Sequence, residues 1–116
     1  MILITETFEK SLKKIRSVSI NSVISEIKKH KKGLDIFVSL YKTGERTVLK
    51  GYLLSSKVRI LILFHEKNGN YMPFALFKKE TKDGYNITKA DEDFLNSLIK
   101  SNIEDIRNGK YKIIQD

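Results

Sequence analysis

The sequence has no cysteine and no tryptophan, and one proline and six glycines among its 116 residues. Without cysteine there is no disulfide framework and no thiolate metal site, and a reducing cytoplasm is the expected setting. Long apolar runs are missing as well. The longest, Ile60–Phe64, is far short of the roughly 20 residues that a membrane-spanning helix needs, so no membrane partner is expected. The opening Met1–Ile4 is too short for the apolar region of a secretory leader and is followed closely by Glu6, so no leader is expected. Acidic residues are scarce relative to basic ones: 14 Asp and Glu face 22 Lys and Arg, which leaves a net charge of +8. On a chain long enough for one core without staples, that surplus favours a polyanionic partner such as RNA, DNA or an acidic protein. The competing reading is a lysine-rich surface that only keeps the protein soluble.

What the chain does have is a strong hairpin signal between Lys57 and Lys79. KVRILILFHEK and NYMPFALFKK, both rich in β-branched and aromatic residues, flank the dipeptide Asn68-Gly69. A two-residue turn there pairs Lys67 with Asn70, His65 with Met72, Leu63 with Phe74, Leu61 with Leu76 and Arg59 with Lys78. Alternation puts those residues on one face, together with Lys57. Val58, Ile60, Ile62 and Phe64 then join Phe77, Ala75 and Pro73 on the other face, which reads as the core side. The first face is apolar in the middle and cationic at the open end, where Lys57, Arg59, Lys78 and Lys79 converge. His65 belongs to the turn end, six residues from Arg59, or roughly 20 Å at strand spacing.

Around the hairpin, Ile2–Ile4 reads as a short strand. A helix over about 7–17, capped by Thr5, Glu6 or Thr7, sets Phe8, Leu12 and Ile15 in one stripe. Ser19 caps a second helix whose stripe is Ile20, Val23, Ile24 and Ile27; it ends in a basic run before Gly33. His30 lies in that run and reads as a complement to the helix dipole. Residues 34–46 fit either a short helix ended by Gly44 or a strand, and the helix is preferred. RTVLKGYLL reads as a strand. A tight connection at Ser55-Ser56 sets Tyr52 opposite Arg59, with Lys50 on the same face. Asp83-Gly84 marks a bend, and Thr88 to Asp91 has capping-box spacing before a third helix from about 89 to 107. YKIIQD adds a final strand or frays. The sum is one α+β domain over residues 1–116: a small, mostly antiparallel sheet, an N-terminal helical hairpin and a C-terminal helix, with helices over one face.

This layout resembles the RelE/ParE superfamily of toxins from bacterial toxin–antitoxin pairs, and within it the RelE-like and HigB-like ribonucleases. The resemblance rests on TFEKSLKKI after a first short strand, INSVISEIKKH, KVRILILF and FALFKKETKDGYNI, which together span nearly the whole chain. It departs from the family in carrying Lys where RelE-like enzymes often have Arg at the end of the last hairpin strand. The Trp-containing segment usual in HigB-like proteins is also missing.

The resemblance implies a ribosome-dependent endoribonuclease, an mRNA interferase that inhibits translation by attack of a ribose 2′-OH on its own 3′-phosphate. Such chemistry needs a base, cations for the developing phosphate charge and an acid for the leaving oxygen; it needs no metal or other cofactor if Lys and Arg supply the charge. Arg59 is the implied phosphate clamp. Lys78 assists it in the register above, while a bulge at Lys79 reverses the choice. Tyr85 is the stacking or proton-donating candidate. Lys50 and Lys57 are candidate bases, and with Arg46 they are candidate RNA-binding residues. No His/Asp/Glu cluster has metal-ligand spacing. The implied partners are mRNA on the ribosome and a cognate antitoxin, whose acidic segment folds on binding in a toxin–antitoxin hetero-oligomer. Two other classes compete: a ParE-like gyrase poison that acts by binding, and a basic nucleic-acid-binding module with no activity.

Overall fold

A computed structural model of the chain describes residues 1–34, 36–53, 57–78 and 87–115. In chain order the elements are β1 (Ile2–Thr5), α1 (Glu6–Lys14), α2 (Ile20–Lys31), β2 (Val38–Thr43), β3 (Arg46–Leu53), β4 (Val58–His65), β5 (Asn70–Lys78), a 3-10 turn (Lys89–Asp91), α3 (Glu92–Arg107) and β6 (Tyr111–Ile114). The strands form one six-stranded sheet in the order β2-β3-β4-β5-β1-β6. Every described pairing is antiparallel except that of β1 with β5. The α+β class, the mostly antiparallel sheet, the N-terminal pair of helices and the C-terminal helix are therefore present. No helix among the described residues is long and apolar enough to cross a membrane.

The caps fall where the side chains demand. Thr5 and Ser19 accept from the N–H groups of Phe8 and Ser22, and Thr88 and Asp91 form a reciprocal capping box. The α1 start is satisfied group by group. Glu6 N–H donates to the Lys110 carbonyl, Thr7 N–H to Asp105 at 2.7 Å, and Phe8 N–H to Thr5 Oγ1. The first two of those bonds stitch the beginning of α1 to the end of α3.

Two expectations about layers fail. The stretch preferred as a helix within 34–46 is β2, which pairs with β3 across the turn Gly44-Glu45. Backbone partners on the neighbouring strand decided what nine ambiguous residues could not. Nor do the helices share one face. Val58, Ile60, Ile62, Tyr71 and Leu76 pack with Phe8, Val23 and Ile27 of α1 and α2. Leu61, Leu63, Met72, Phe74 and Ala75 pack with Leu95 and Ile99 of α3. The sheet is buried on both sides, which is why β4 reads as an unbroken apolar run. Tyr41 ties β2 to α3 by donating to Asn96 at 2.9 Å, and burial, with the Glu92 charge adding, pushes its phenol up to about 12.

The hairpin register also differs from the expected one. His65 pairs with Asn70 across a four-residue loop, 66–69, in which Gly69 takes φ +72 and Gly69 N–H donates back to the His65 carbonyl. Farther along, the register shifts between Leu61, opposite Ala75, and Ile62, opposite Pro73, so that Phe74 is an extra residue on β5. Proline has no N–H to give the ladder, and a bulge beside it absorbs the mismatch. Beyond the bulge every β5 side chain changes face relative to a regular ladder. Arg59 consequently lies opposite Phe77, and Lys78 opposite Val58.

Candidate functional site

The open end of β3, β4 and β5, on the α3 side, holds the one buried cation among the described residues. Arg59 is only 7 % exposed, and its Nε and Nη1 are buried with no hydrogen-bond partner. It is the second residue of β4, with Tyr52 of β3 on one side and Phe77 of β5 on the other. Side chains directly opposite in a ladder share a face, so the three form a row across the sheet. The Arg59 guanidinium carbon lies 5.4 Å from the Tyr52 ring centroid, and Lys50 Nζ lies 5.9 Å from it on the same strand. Lys50 also donates to the Ile87 carbonyl at 3.1 Å, which fixes its ammonium beside the row. The row is continued by Phe94 of α3, whose ring centroid is 6.1 Å from that of Phe77.

Two guanidinium nitrogens buried without an acceptor are costly unless something supplies the missing charge. Here its attraction to the Tyr52 ring offsets only part of that cost. An anion of the right size would complete the site. A phosphate is the natural candidate, because the planar fork of Arg meets two of its oxygens at once.

The expected site residues separate in this geometry. Arg59, Lys50 and Tyr52 come together in the expected β3–β4 register, with Tyr52 opposite Arg59 and Lys50 on the same face. Lys57 is exposed in the turn just before β4, at the same end. Lys78 does not join them. The expected pairing of Lys78 with Arg59 is overturned by the four-residue loop and the Phe74 bulge together: the bulge turns Lys78 toward the α1 and α2 side, and Phe77 stands opposite Arg59. Arg46 is also excluded from the cluster: it lies opposite His65, at the hairpin-turn end of the sheet, where it lines two cavities of about 260 and 270 Å3 beside α3. Lys79, Tyr85 and the Ser55-Ser56 connection lie outside the described residues.

The turn end is electrostatically different. Glu66 accepts from Thr47 at 2.6 Å and pairs with Lys42 at 3.1 Å, and these contacts, the Thr47 bond foremost, hold its carboxyl below the usual value. His65 Nε2 lies 3.9 Å from Glu45. His30, read as a dipole complement, also takes part in an aromatic cluster: its Nδ1 lies 2.9 Å from the Tyr71 hydroxyl, with Phe37 and Phe64 packed against its ring. Among the described residues no group of three or more His, Asp or Glu is placed to hold a metal ion.

Phe77 and Phe94 were not expected at the site. Pro73 in mid-strand was the available signal for the first, since a proline inside a run announces a bulge or an edge. Nothing local to Phe94 marks it, because its place depends on how α3 docks. No family model, curated protein or solved structure matches the chain.

Proposed function

We propose that this chain is the toxin of a toxin–antitoxin pair, a ribosome-dependent endoribonuclease that cleaves mRNA and so inhibits translation. The observation that carries the reading is Arg59: a buried guanidinium with two donors unused, in a chain of net charge +8, beside Lys50 and an exposed tyrosine. The fold is compatible with the resemblance noted in the sequence. In this reading Arg59 clamps the scissile phosphate and neutralises the charge that builds on its oxygens, and Lys50 adds a second positive charge. The ribose 2′-OH attacks the adjacent phosphorus, and the 5′-oxygen of the next nucleotide leaves. The products are a 2′,3′-cyclic phosphate, or the 3′-phosphate formed from it, and a 5′-hydroxyl. The ribosome holds the RNA bent in line for that attack, so free RNA is cut weakly. Lys79 and Tyr85, next in sequence after the strand, are the candidates for the remaining proton transfers. The site of action is the cytoplasm, and an acidic antitoxin covers the cationic surface.

End-mapping of mRNA cleaved in a reconstituted translation mixture tests this. The expected result is a 5′-hydroxyl on the downstream fragment and a loss of about 100- to 1,000-fold in rate for Arg59→Ala, the usual effect of deleting one charge-stabilising group. A 5′-phosphate overturns the mechanism, because 2′-OH attack cannot leave one.

One observation favours a second reading. With Lys78 turned to the other side, Arg59 has one lysine of its own face beside it among the described residues, enough to bind a phosphate backbone without cutting it. A basic nucleic-acid-binding module would show retained RNA binding and no cleavage on the ribosome.

A further inference from the structure

The row across the open end of the sheet alternates rings and charge: Tyr52, Arg59, Phe77, then Phe94 beyond, its ring tilted 36° to that of Phe77. The two outermost members are among the few large apolar side chains left open to solvent among the described residues, Tyr52 at 40 % and Phe94 at 44 % exposed. Between them the guanidinium is sunk to 7 % exposure. Ring surface on both sides of a buried anion-binding group matches a nucleotide step whose bases have been pulled apart. Each ladder neighbour lies about 5 Å from the next, so Tyr52 and Phe77 stand roughly 10 Å apart with the guanidinium between them. That separation, with the Phe94 ring another 6.1 Å from that of Phe77, is too wide for two bases to remain stacked on each other.

We infer that Tyr52 and the Phe77–Phe94 pair are base platforms flanking the Arg59 phosphate clamp, so that the site takes single-stranded RNA as a splayed dinucleotide step; this rests on the nucleic-acid reading of the Arg59 site. The base on one side of the clamped phosphate stacks on Tyr52, and the base on the other stacks on Phe94, with the tilted Phe77 ring beside it. Stacking on a ring tolerates any base, so the platforms select strandedness before sequence. Double-stranded RNA, whose bases cannot splay, is excluded from the same grip. Lys50, anchored to the Ile87 carbonyl and close to the Tyr52 ring, holds the first platform in a cationic setting.

The absence of tryptophan supplies the assay. Tyr52→Trp and Phe94→Trp each introduce a single indole that keeps a platform and reports on it. The probe is a 2′-O-methyl hexanucleotide, which 2′-OH attack cannot cleave. Titrating it into the full-length variants should quench both indoles, and an abasic residue on one side of a phosphate should abolish quenching at one of them. Tyr52→Ala and Phe94→Ala should each weaken binding by roughly 5- to 100-fold, the loss of one base–aromatic stack, with unchanged thermal unfolding. Tyr52→Phe should bind like the wild type. A blunt duplex of the same sequence should bind more weakly and quench neither indole. Unquenched indoles at millimolar probe, or alanine variants that bind like the wild type, overturn the platforms. If Arg59→Ala alone then loses binding, the clamp and the nuclease reading survive without them. If Arg59→Ala also binds like the wild type, the nucleic-acid reading of this site falls too.

Discussion

Asn102 and Arg59 are both buried on the α3 side of the sheet, and they are treated in opposite ways. Asn102 of α3 is fully buried and fully used. Its Oδ1 accepts from Thr5 Oγ1, and its Nδ2 donates to the carbonyls of Leu98 at 2.8 Å and Phe74 at 3.3 Å. Thr5 in turn caps α1, so one amide joins β1, α1, β5 and α3. Arg59, at the other end of the same face, is nearly as buried and leaves Nε and Nη1 without acceptors. A buried polar group with every bond made locks a fold; one with its bonds unmade depends on something from outside. The first belongs to stability and the second, in the function proposed above, to binding.

The contrast yields a graded set of outcomes. Asn102→Ala removes three hydrogen bonds and leaves Thr5 and two carbonyls to be satisfied in a space without water. The expected loss is about 3 kcal/mol, from a range of roughly 1–3 kcal/mol for each buried group left unpaired and only partial relaxation of the rest. A urea titration reads it directly. Thr5→Val should cost about 1–2 kcal/mol in the same titration, since it breaks the Asn102 bond and the α1 cap but keeps the volume.

Arg59→Met should change stability by less than about 0.5 kcal/mol or raise it, because it exchanges an unpaired buried charge for an apolar chain of similar length. Thermal unfolding beside the Asn102 variant checks this. A loss as large as that of Asn102→Ala would mean that Arg59 is structural and would collapse the comparison.

The smallest effect is acid sensitivity at the α1–α3 seam. Burial acts to raise the Asp105 carboxyl, but donation from Thr7 and the charges of Lys110 and Lys10 outweigh it, so its pKa is lowered. A lowered carboxyl contributes stability that is present above its unfolded value, near 3.9, and is lost as pH falls through the folded one. Unfolding midpoints should therefore drop below about pH 4, and less steeply in Asp105→Asn. The Glu66 carboxyl, lowered by Thr47 and Lys42, acts in the same direction.

Close approach sets one more residue. A Cβ on Gly51 would come within 2.2 Å of the Phe37 ring, so the glycine in the middle of β3 is there to let that ring lie on the strand. The sequence shows the glycine and the phenylalanine but not that they meet.

Much of the architecture was determined locally. Thr5, Ser19 and the Thr88–Asp91 box start their helices because short polar side chains reach N–H groups that no sequence-distant partner is needed to satisfy. β3 and β4 are recognisable from β-branched residues, and the pairing of Tyr52 with Arg59 follows from counting. The charge that singles out Arg59 is likewise in the residue itself. Three things were decided only by tertiary structure. Residues 38–43 became a strand because β3 offered a ladder, which periodicity over so short a run cannot encode. α3 took the second face of the sheet because an apolar strand reads the same whichever side its helices cover. The four-residue loop and the bulge at Phe74 together exchanged Lys78 for Phe77 beside Arg59, since one extra residue reverses the facing of everything after it, and a side-chain period of two has no way to show a phase shift until the partner strand is present.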